Sequence, residues 1–320
     1  MLCSIISGCG SYLPERIMTN DDISKLVETN DEWIQERTGI KQRHIVADNQ
    51  LTSDIAYEAA KKAIANSNIS KDQIDLIILA TTTPDNTFPS TATKVQAMLE
   101  IPTIPAFDIQ AVCSGFVYAL SVADSFIKSG QHKNILVIGA DSLSKITNWK
   151  DRGTCILFGD GAGAVILSAT ESDSKTGILS THLYSDGNLQ KILYVDGGAS
   201  STEEVGKMIM EGKEVFRHAV EKMSSSIKHA IKVNDLNDED IDWVIPHQAN
   251  LRIIKSVGKK LGFPAEKLIS TVQLHGNTSA ASIPLALDIA INDNRIKKGD
   301  YIALTALGGG ITWGSAIIKY

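Results

Sequence analysis

The chain has 320 residues, of which 43% are apolar and 21% are charged, and its formal net charge is -6 at pH 7. This composition is typical of a soluble globular protein and excludes collagen-like, coiled-coil and disordered chains. A protein with this net negative charge lacks the overall positive potential expected of a nucleic-acid-binding protein. The length suggests two units of ~150 residues each.

The cysteines and the apolar segments argue against a secreted, zinc-binding or membrane protein. Four cysteines are too few for a secreted disulfide scaffold and form no C-x-x-C pair for zinc: they are Cys3, Cys9, Cys113 and Cys155. No apolar run reaches the ~20 residues of a membrane helix, and the start lacks the basic region of a signal peptide. We therefore predict a cytoplasmic protein with no metal, no nucleic-acid partner and no membrane partner.

Helical and strand-like patterns alternate along the chain. An apolar stripe predicts a helix over 51–66, with Ser53 as its N-cap, and a mostly apolar segment predicts a buried helix over 114–128. The predicted strands share near-continuous apolar runs and cover 75–80, 134–140 and 164–167. Strands of this kind between helices indicate an α/β fold with largely parallel sheets covered on both faces.

The second half of the chain repeats the pattern of the first. The matched segments are 51–66 with 212–233, 69–85 with 236–250, 135–140 with 301–305, and 158–167 with 307–318. This indicates a duplicated α/β unit. We predict an N-terminal half over 1–172 and a C-terminal half over 173–320, joined by a polar linker within 168–178.

Three side chains stand at positions where chemistry is possible. Cys113 directly precedes the buried helix, whose N-terminal dipole would stabilise a thiolate and lower its pKa; the alternative is a small core residue, as for the other cysteines. His247 follows an apolar strand in VIPHQAN and can donate a hydrogen bond or move a proton, or simply cap a loop. Asn277, in LHGNTSAASIP, can donate to a carbonyl oxygen or serve as a turn or N-cap residue.

Two glycine-rich segments resemble nucleotide-binding loops only weakly. GDGAGA (159–164) and Gly308 to Gly310 are each followed by strand-like residues, whereas a dinucleotide-binding loop requires a helix there. We interpret both as tight turns or places where backbone approaches a ligand. The backbone N–H of Gly309 could then serve an oxyanion.

Basic and aromatic side chains suggest two surfaces. A basic stripe at spacing i, i+3 and i+7 shares one helix face and comprises Arg252, Lys255 and Lys259. Together with Lys213 and Arg217 on another predicted helix, it is either a solvated face or a docking patch for an acidic partner. Trp33 and Arg37 could sandwich a planar base and pair with phosphate, or form an ordinary surface contact.

Six motifs, taken in order, resemble the β-ketoacyl-acyl carrier protein synthase III family of the thiolase superfamily. They are EWIQERTGI (32–40), TPDNTFPST (83–91), CSGFVYAL (113–120), DRGTCILFGDGAGA (151–164), PHQANLRI (246–253) and GNTSAASIP (276–284). The resemblance runs from 8 to 316. It implies a thiolase-like α/β fold in which two duplicated halves form a five-layer α-β-α-β-α sandwich.

The resemblance also implies roles for particular residues. The family's Cys-His-Asn site maps onto Cys113, His247 and Asn277, and its oxyanion hole maps onto the backbone N–H groups of Cys113 and Gly309. The implied coenzyme A contacts are Trp33, Arg37, Arg152, Phe216 and Asn250. The implied acyl-pocket residues are Phe88, which would reach across a dimer, and Leu307, where relatives often have Phe. The implied carrier-protein docking residues are Gln248, Ala249, Asn250, Leu251, Arg252, Lys255, Lys259 and Arg217.

The activity implied by the resemblance is a decarboxylative Claisen condensation that starts bacterial fatty-acid synthesis. Acetyl-coenzyme A and malonyl-acyl carrier protein would give acetoacetyl-acyl carrier protein, coenzyme A and carbon dioxide, without a metal or redox cofactor. The expected partners are acyl carrier protein, a coenzyme A thioester and a second copy of the chain. The alternatives are a related condensing enzyme with another acyl primer and a non-catalytic acyl-coenzyme A-binding paralogue.

Overall fold

The structure is a computed structural model that describes residues 2–171 and 176–320. The first half contains, in chain order, β1 (Leu2–Tyr12), β2 (Arg16–Thr19), α1 (Asn20–Ser24), α2 (Asp31–Thr38), β3 (Gln42–Ile45), α3 (Thr52–Ala65), β4 (Leu76–Ala80), α4 (Thr91–Met98), β5 (Ala106–Ile109), α5 (Gly115–Lys128), β6 (Asn134–Ser142), α6 (Arg152–Cys155) and β7 (Asp160–Glu171). The second half contains β8 (Gly177–Ser185), β9 (Leu193–Val195), β10 (Met208–Met210), α7 (Gly212–Val233), β11 (Trp243–Pro246), α8 (Leu251–Leu261), α9 (Val272–His275), α10 (Ser282–Asn292), β12 (Tyr301–Gly308) and β13 (Thr312–Lys319).

The two main sheets share one topology. The first has the strand order β1-β7-β6-β4-β5 and the second has the order β11-β12-β13-β8. In each sheet a parallel pair (β4 with β6, β11 with β12) is followed by two antiparallel pairs. The predicted duplication is therefore confirmed, with β5 as an extra edge strand of the first sheet. The expectation of largely parallel sheets is wrong, because the last strands of each repeat fold back as antiparallel neighbours.

The elements stack in five layers, as the resemblance implied. Helices α3 and α4 cover the outer face of the first sheet, and α7 and α8 cover the outer face of the second. Helices α5 and α10 lie between the sheets, where apolar side chains from both sheets surround them. A helix buried on both sides must be apolar nearly all round, which explains the composition of α5. None of the helices in the described part of the chain is long and apolar enough to cross a membrane.

Three local predictions differ from the structure. The N-cap of α3 is Leu51, not Ser53, and the Ser53 N–H instead donates to Asp85 Oδ1 at 3.0 Å. The GDGAGA segment is largely the start of β7, not a turn; a Cβ on Gly163 would lie 2.7 Å from Pro284 of α10, so glycine allows the helix to pack there. Strands β7 and β8 enter the predicted linker from both ends. The predicted boundary between 172 and 173 lies outside the described residues.

Candidate active site

A pocket of about 1090 Å³ opens where the two central helices begin. Both helices are preceded by a 3-10 turn, at Val112–Ser114 before α5 and at Ser279–Ala281 before α10, and the two turns contact each other. The pocket therefore draws side chains from both repeats. The predicted site residues that line it are Trp33, Arg37, Cys113, Phe216, His247, Ala249, Asn250, Arg252, Asn277, Leu307 and Gly309.

The Cys113 turn is held in place by the end of β12 and the start of β13. Ser114 Oγ lies 2.8 Å from both Ala111 O and Thr312 Oγ1, which ties the turn to β13. A Cβ on Gly308 would lie 2.6 Å from the Cys113 nitrogen, so glycine is required for this close approach. Val112, directly before the cysteine, has a φ of 48°, a strained value for a β-branched residue. The surrounding contacts thus fix the backbone of Cys113.

The Cys113 thiol is buried. Removal from water raises its pKa to about 12, although the neighbouring Ser279 side chain and the backbone N–H of Cys113 favour the thiolate. The prediction of a lowered pKa is therefore wrong, because the loss of hydration outweighs the hydrogen bonds that favour the thiolate. The thiol is neutral at pH 7.

His247 is buried directly beyond the end of β11. Its Nδ1 lies 2.7 Å from Ser282 Oγ, and the Gln248 N–H donates to the same oxygen at 3.3 Å. Since the described residues offer the Ser282 hydroxyl proton no other acceptor, we assign it to the bond with Nδ1, which leaves the proton of the imidazole on Nε2. Burial lowers the pKa of His247 to about 3, so the ring is neutral at pH 7.

Asn277 is held by both its backbone and its side chain. Its N–H donates to Leu157 O at 2.8 Å, and its carbonyl oxygen accepts from the Gly159 N–H at 3.0 Å. Its Oδ1 accepts from the Ser279 N–H at 2.9 Å. Since the amide oxygen is occupied in this way, the Nδ2 group is the free end of the side chain and is available to donate in the pocket.

The three side chains form a set suited to acyl chemistry. Cys113 supplies sulfur, while His247 and Asn277 supply neutral N–H donors in a largely buried pocket. Neutral donors of this kind stabilise negative charge that develops on an oxygen without carrying a charge themselves. The arrangement can therefore hold an enolate or oxyanion next to a nucleophilic sulfur.

The outer part of the pocket is aromatic and basic. The guanidinium carbons of Arg37 and Arg152 lie 4.5 and 4.8 Å from the centre of the Trp33 ring. Arg152 contacts Trp33 without lining the pocket itself, whereas Arg252 lines it and lies 5.7 Å from the Phe216 ring. Aromatic rings beside guanidinium groups suit a planar base that carries phosphates.

The remaining predicted residues lie outside the pocket lining. Phe88 is 83% exposed on the loop between β4 and α4. Lys255 and Lys259 are exposed on α8, and Arg217 is exposed on α7, where it donates to Glu214 at 2.7 Å. Leu251 is half-buried at the start of α8 and packs against Gly39.

Gln248 does not fit its predicted role in docking. Its side chain is buried, and it donates to Pro246 O at 2.6 Å and accepts from the Thr271 N–H at 2.8 Å. A side chain engaged in this way positions the loop after His247 and cannot face a partner. The docking prediction is therefore wrong for Gln248, because the sequence did not show that this side chain points inward.

Sequence reasoning also missed groups that shape the site. Ser282 lies five residues after Asn277 in the same motif, and that proximity was the signal that could have identified it. Met208 and Met210 of β10 line the pocket from a segment that carries no recognisable motif. Within residues 2–171 and 176–320, no cluster of three or more His, Cys, Asp or Glu side chains is placed to hold a metal ion.

Comparison with known proteins identifies the family. A profile described as 3-oxoacyl-[acyl-carrier-protein (ACP)] synthase III matches residues 107–187, and its C-terminal counterpart matches residues 231–320.

The chain is 59% identical to the beta-ketoacyl-[acyl-carrier-protein] synthase III of Paramagnetospirillum magneticum, over 99% of this chain and 98% of that protein. It is 56% identical to the protein of the same name from Rhodospirillum centenum, over 100% and 99% of the two chains. The crystal structure of 3-oxoacyl-[acyl-carrier-protein] synthase III from Aquifex aeolicus matches with a TM-score of 0.94 at 48% identity, over 99% of this chain and 100% of that chain. The chain thus belongs to the 3-oxoacyl-[acyl-carrier-protein] synthase III family.

Proposed function

We propose that this chain uses Cys113, His247 and Asn277 to condense an acetyl primer from coenzyme A with malonyl-acyl carrier protein. As a member of its family, the chain is an acyltransferase that joins an acyl-coenzyme A to malonyl-acyl carrier protein at the start of fatty-acid synthesis. The observation that carries the residue roles is that all three side chains line one pocket, with their hydrogen bonds leaving two N–H donors beside a thiol.

The first step transfers the acyl group to the enzyme. The Cys113 sulfur attacks the thioester carbonyl, the carbon–sulfur bond to coenzyme A breaks, and the thiol proton ends on the departing coenzyme A thiol. The backbone N–H groups of Cys113 and Gly309 hold the tetrahedral oxyanion. Losing one such donor typically costs about 10²–10³ in rate.

The second step forms the new carbon–carbon bond. Loss of carbon dioxide from the malonyl group leaves its electron pair in an enolate, whose oxygen accepts from His247 Nε2 and Asn277 Nδ2. The enolate carbon attacks the acyl group on Cys113, and the sulfur leaves and regains a proton. His247 stays neutral throughout and gains no second proton, in agreement with its low pKa.

Substrate recognition is divided between the pocket mouth and the neighbouring helices. Trp33, Arg37, Arg152, Phe216 and Asn250 hold coenzyme A, supported by the stacked aromatic and basic groups at the mouth. The docking surface for the acidic carrier protein consists of Ala249, Asn250, Leu251, Arg252, Lys255, Lys259 and Arg217. Exposed basic side chains on adjoining helices support this assignment.

The active form is a homodimer in this proposal. Phe88 is a large apolar side chain that is almost fully exposed, and β5 is an edge strand of the first sheet. Exposed aromatic side chains and unpaired strand edges are both common features of protein interfaces. Phe88 closes the partner's acyl pocket, while Leu307 shapes the pocket of its own chain.

The test separates the two half-reactions. In Cys113→Ala, acylation by acetyl-coenzyme A and condensation are expected to disappear, while decarboxylation of malonyl-acyl carrier protein remains measurable. Mass spectrometry of the protein and release of carbon dioxide report the two steps. The matched control is Cys9→Ala, which removes another buried thiol from outside the pocket and is expected to keep both activities.

The same assay decides between the alternatives. Incubation with a panel of acyl-coenzymes A shows which acyl mass appears on Cys113, which distinguishes an acetyl-specific enzyme from one with a branched or longer primer. A chain that acquires no acyl mass would be a non-catalytic paralogue. Full condensation activity in Cys113→Ala would show that Cys113 is not the nucleophile.

A further inference from the structure

Arg43 of β3 is a fully buried arginine with unusual surroundings. Its Nη1 donates to Asn20 Oδ1 at 2.9 Å and to Met18 O at 3.3 Å, and its Nη2 donates to Ile156 O at 2.7 Å. All of these acceptors are neutral, and among the described residues its Nε has no hydrogen-bond partner. A buried cation without a carboxylate partner is costly, so its presence calls for a physical reason.

The guanidinium holds the segment that clamps Asn277. Ile156 O, which accepts from Arg43, is followed by Leu157 O, which accepts from the Asn277 N–H at 2.8 Å. The Gly159 N–H then donates to the Asn277 carbonyl oxygen at 3.0 Å. The backbone of Asn277 is thus fixed on both sides by residues that Arg43 anchors.

The base of the Arg43 side chain supports the same loop by direct packing. A Cβ on Gly159 would lie 2.9 Å from Arg43 Cβ, and a Cβ on Gly276 would lie 3.1 Å from it. Gly276 has φ 67° and ψ -165°, a conformation essentially restricted to glycine. The arginine therefore packs against the glycine turn that leads directly into Asn277.

The other end of Arg43 leads to the pocket mouth. Asn20, which accepts from Arg43, donates through Nδ2 to Asp31 Oδ1 at 2.8 Å, in the first turn of α2. Helix α2 also carries Trp33 and Arg37. Arg43 thus has two arms, one toward Asn277 and one toward the proposed coenzyme A site, and substitutions can test them separately.

We propose that Arg43 is a positioning residue for Asn277: it fixes the segment 156–159 and so sets the direction of the Asn277 amide during decarboxylation. The inference rests on the proposed function. The guanidinium acts at a distance, through backbone groups. A misplacement of the amide by ~1 Å is enough to cost about 10²-fold in rate.

The experiment measures both half-reactions in Arg43→Met and Arg43→Lys. Decarboxylation of malonyl-acyl carrier protein is expected to fall by about 10- to 100-fold in both variants, because a lysine cannot reach Ile156 O and Asn20 together. Acylation of Cys113 at saturating acetyl-coenzyme A is expected to stay within about threefold of the wild type, which also reports that the variants are folded. If Arg43→Met does not fold, Arg43→Lys, which keeps the buried charge, is judged by the same criteria.

Two further variants show whether the effect passes through Asn277. The double variant Arg43→Met/Asn277→Ala is expected to decarboxylate no more slowly than Asn277→Ala alone, since the second change removes the group that the first displaces. Asn20→Ala is the matched control for the other arm and is expected to keep decarboxylation within about threefold, since Ile156 O keeps its donor.

The outcomes distinguish this inference from the proposed function. An equal loss of acylation and decarboxylation in both Arg43 variants, additive losses in the double variant, or an equally large loss in Asn20→Ala would each overturn the positioning role. A wild type that does not decarboxylate the malonyl substrate, or an Asn277→Ala variant that does so normally, would instead overturn the proposed function.

Discussion

At the residue scale, His247 shows how enclosure by the fold determines the chemistry of a side chain. Its ring is removed from water and bonded at Nδ1 to Ser282, and burial lowers its pKa to about 3. A histidine on a solvent-exposed loop would be half protonated near pH 6.5. Here the fold keeps the ring neutral, with its Nε2 proton available for the proposed hydrogen bond to an enolate oxygen.

This burial predicts a pH-dependent loss of stability. The unfolded imidazole binds a proton below about pH 6.5, whereas the folded one does so only near pH 3, so His247 makes unfolding easier as the pH falls through this window. Between pH 7 and pH 5 the cost is about 2 kcal/mol. We expect the wild type to lose about that much more unfolding free energy than His247→Gln over the same change, as measured by urea denaturation. A difference between the two proteins that is the same at both pH values would contradict the assigned neutral state.

The residues of the site were more predictable than their chemistry. Cys113, His247 and Asn277 could be placed from their motifs, because each follows a clear strand or precedes a clear helix. The raised pKa of Cys113 could not be predicted, since it depends on burial produced by packing between the two repeats. Arg43 was missed for the same reason: nothing local in QRHI shows that its guanidinium ends beside Ile156 O.

At the scale of single elements, α8 combines a buried apolar face with an exposed basic face. Its apolar side chains Ile253, Val257 and Leu261 are buried against α7 and the outer face of the second sheet. Lys255 and Lys259 lie four residues apart and are exposed. The helix therefore presents a basic face whose position is fixed by the core contacts on its other side.

Charge reversal on this face tests the docking surface. We expect Lys255→Glu/Lys259→Glu to raise the KM for malonyl-acyl carrier protein by about tenfold or more at low salt, because like charges would then face each other across the interface. The KM for acetyl-coenzyme A should change little, since neither lysine lines the pocket.

The control for this test is Lys228→Glu on α7. Lys228 is exposed and lies twelve residues beyond Phe216, about 18 Å along the helix, at 1.5 Å per residue. It should leave both KM values near those of the wild type. Equal increases in both KM values for the α8 variant would instead assign its lysines to the coenzyme A site.

The elements that sequence reasoning described incorrectly are those whose ends depend on distant contacts. The helices and buried strands follow apolar periodicity, and α5, α7, β4 and β6 lie where that periodicity predicts them. The glycines of β7 resembled a turn because a strand interior rarely contains them; they are explained by the close approach of α10, which comes more than a hundred residues later. A local pattern carries no information about such an approach.

At the scale of the whole molecule, the two repeats differ in what surrounds their sheets. The first sheet ends in β5, which has no counterpart in the second sheet, and Phe88 projects from the loop that follows β4. The duplication itself could be predicted because similar sequence patterns recur in order. Dimerisation could not be predicted from composition, because it depends on which side chains are exposed on the folded surface.

The dimer and its role in the acyl pocket can be tested together. We expect light scattering to give the wild type a mass of twice the 34.5 kDa chain. Phe88→Ala is expected to let Cys113 accept longer acyl chains, because each subunit would then leave its partner's pocket open at one end. Mass spectrometry with acyl-coenzymes A of increasing length measures the change.

Val205→Ala is the control for that test, since Val205 is also apolar and 76% exposed but lies outside the pocket and the loop of Phe88. It should keep the acyl range of the wild type. A monomeric wild type, or an unchanged acyl range in Phe88→Ala, would refute the assignment of Phe88 to the partner's pocket.

The meeting of the two 3-10 turns at the pocket has a consequence for how the enzyme tolerates mutation. Helices α5 and α10 both direct their amino ends toward this point, and Cβ atoms on Gly115 and Ala280 would be 3.5 Å apart. The positive ends of two macrodipoles therefore converge at the pocket in which the proposed mechanism forms tetrahedral oxyanion, enolate and thiolate charges. This part of the electrostatic field belongs to the main chain, so substituting a side chain cannot remove it. Variants that lose the proposed His247 or Asn277 donor would therefore keep a main-chain field that is favourable to anions.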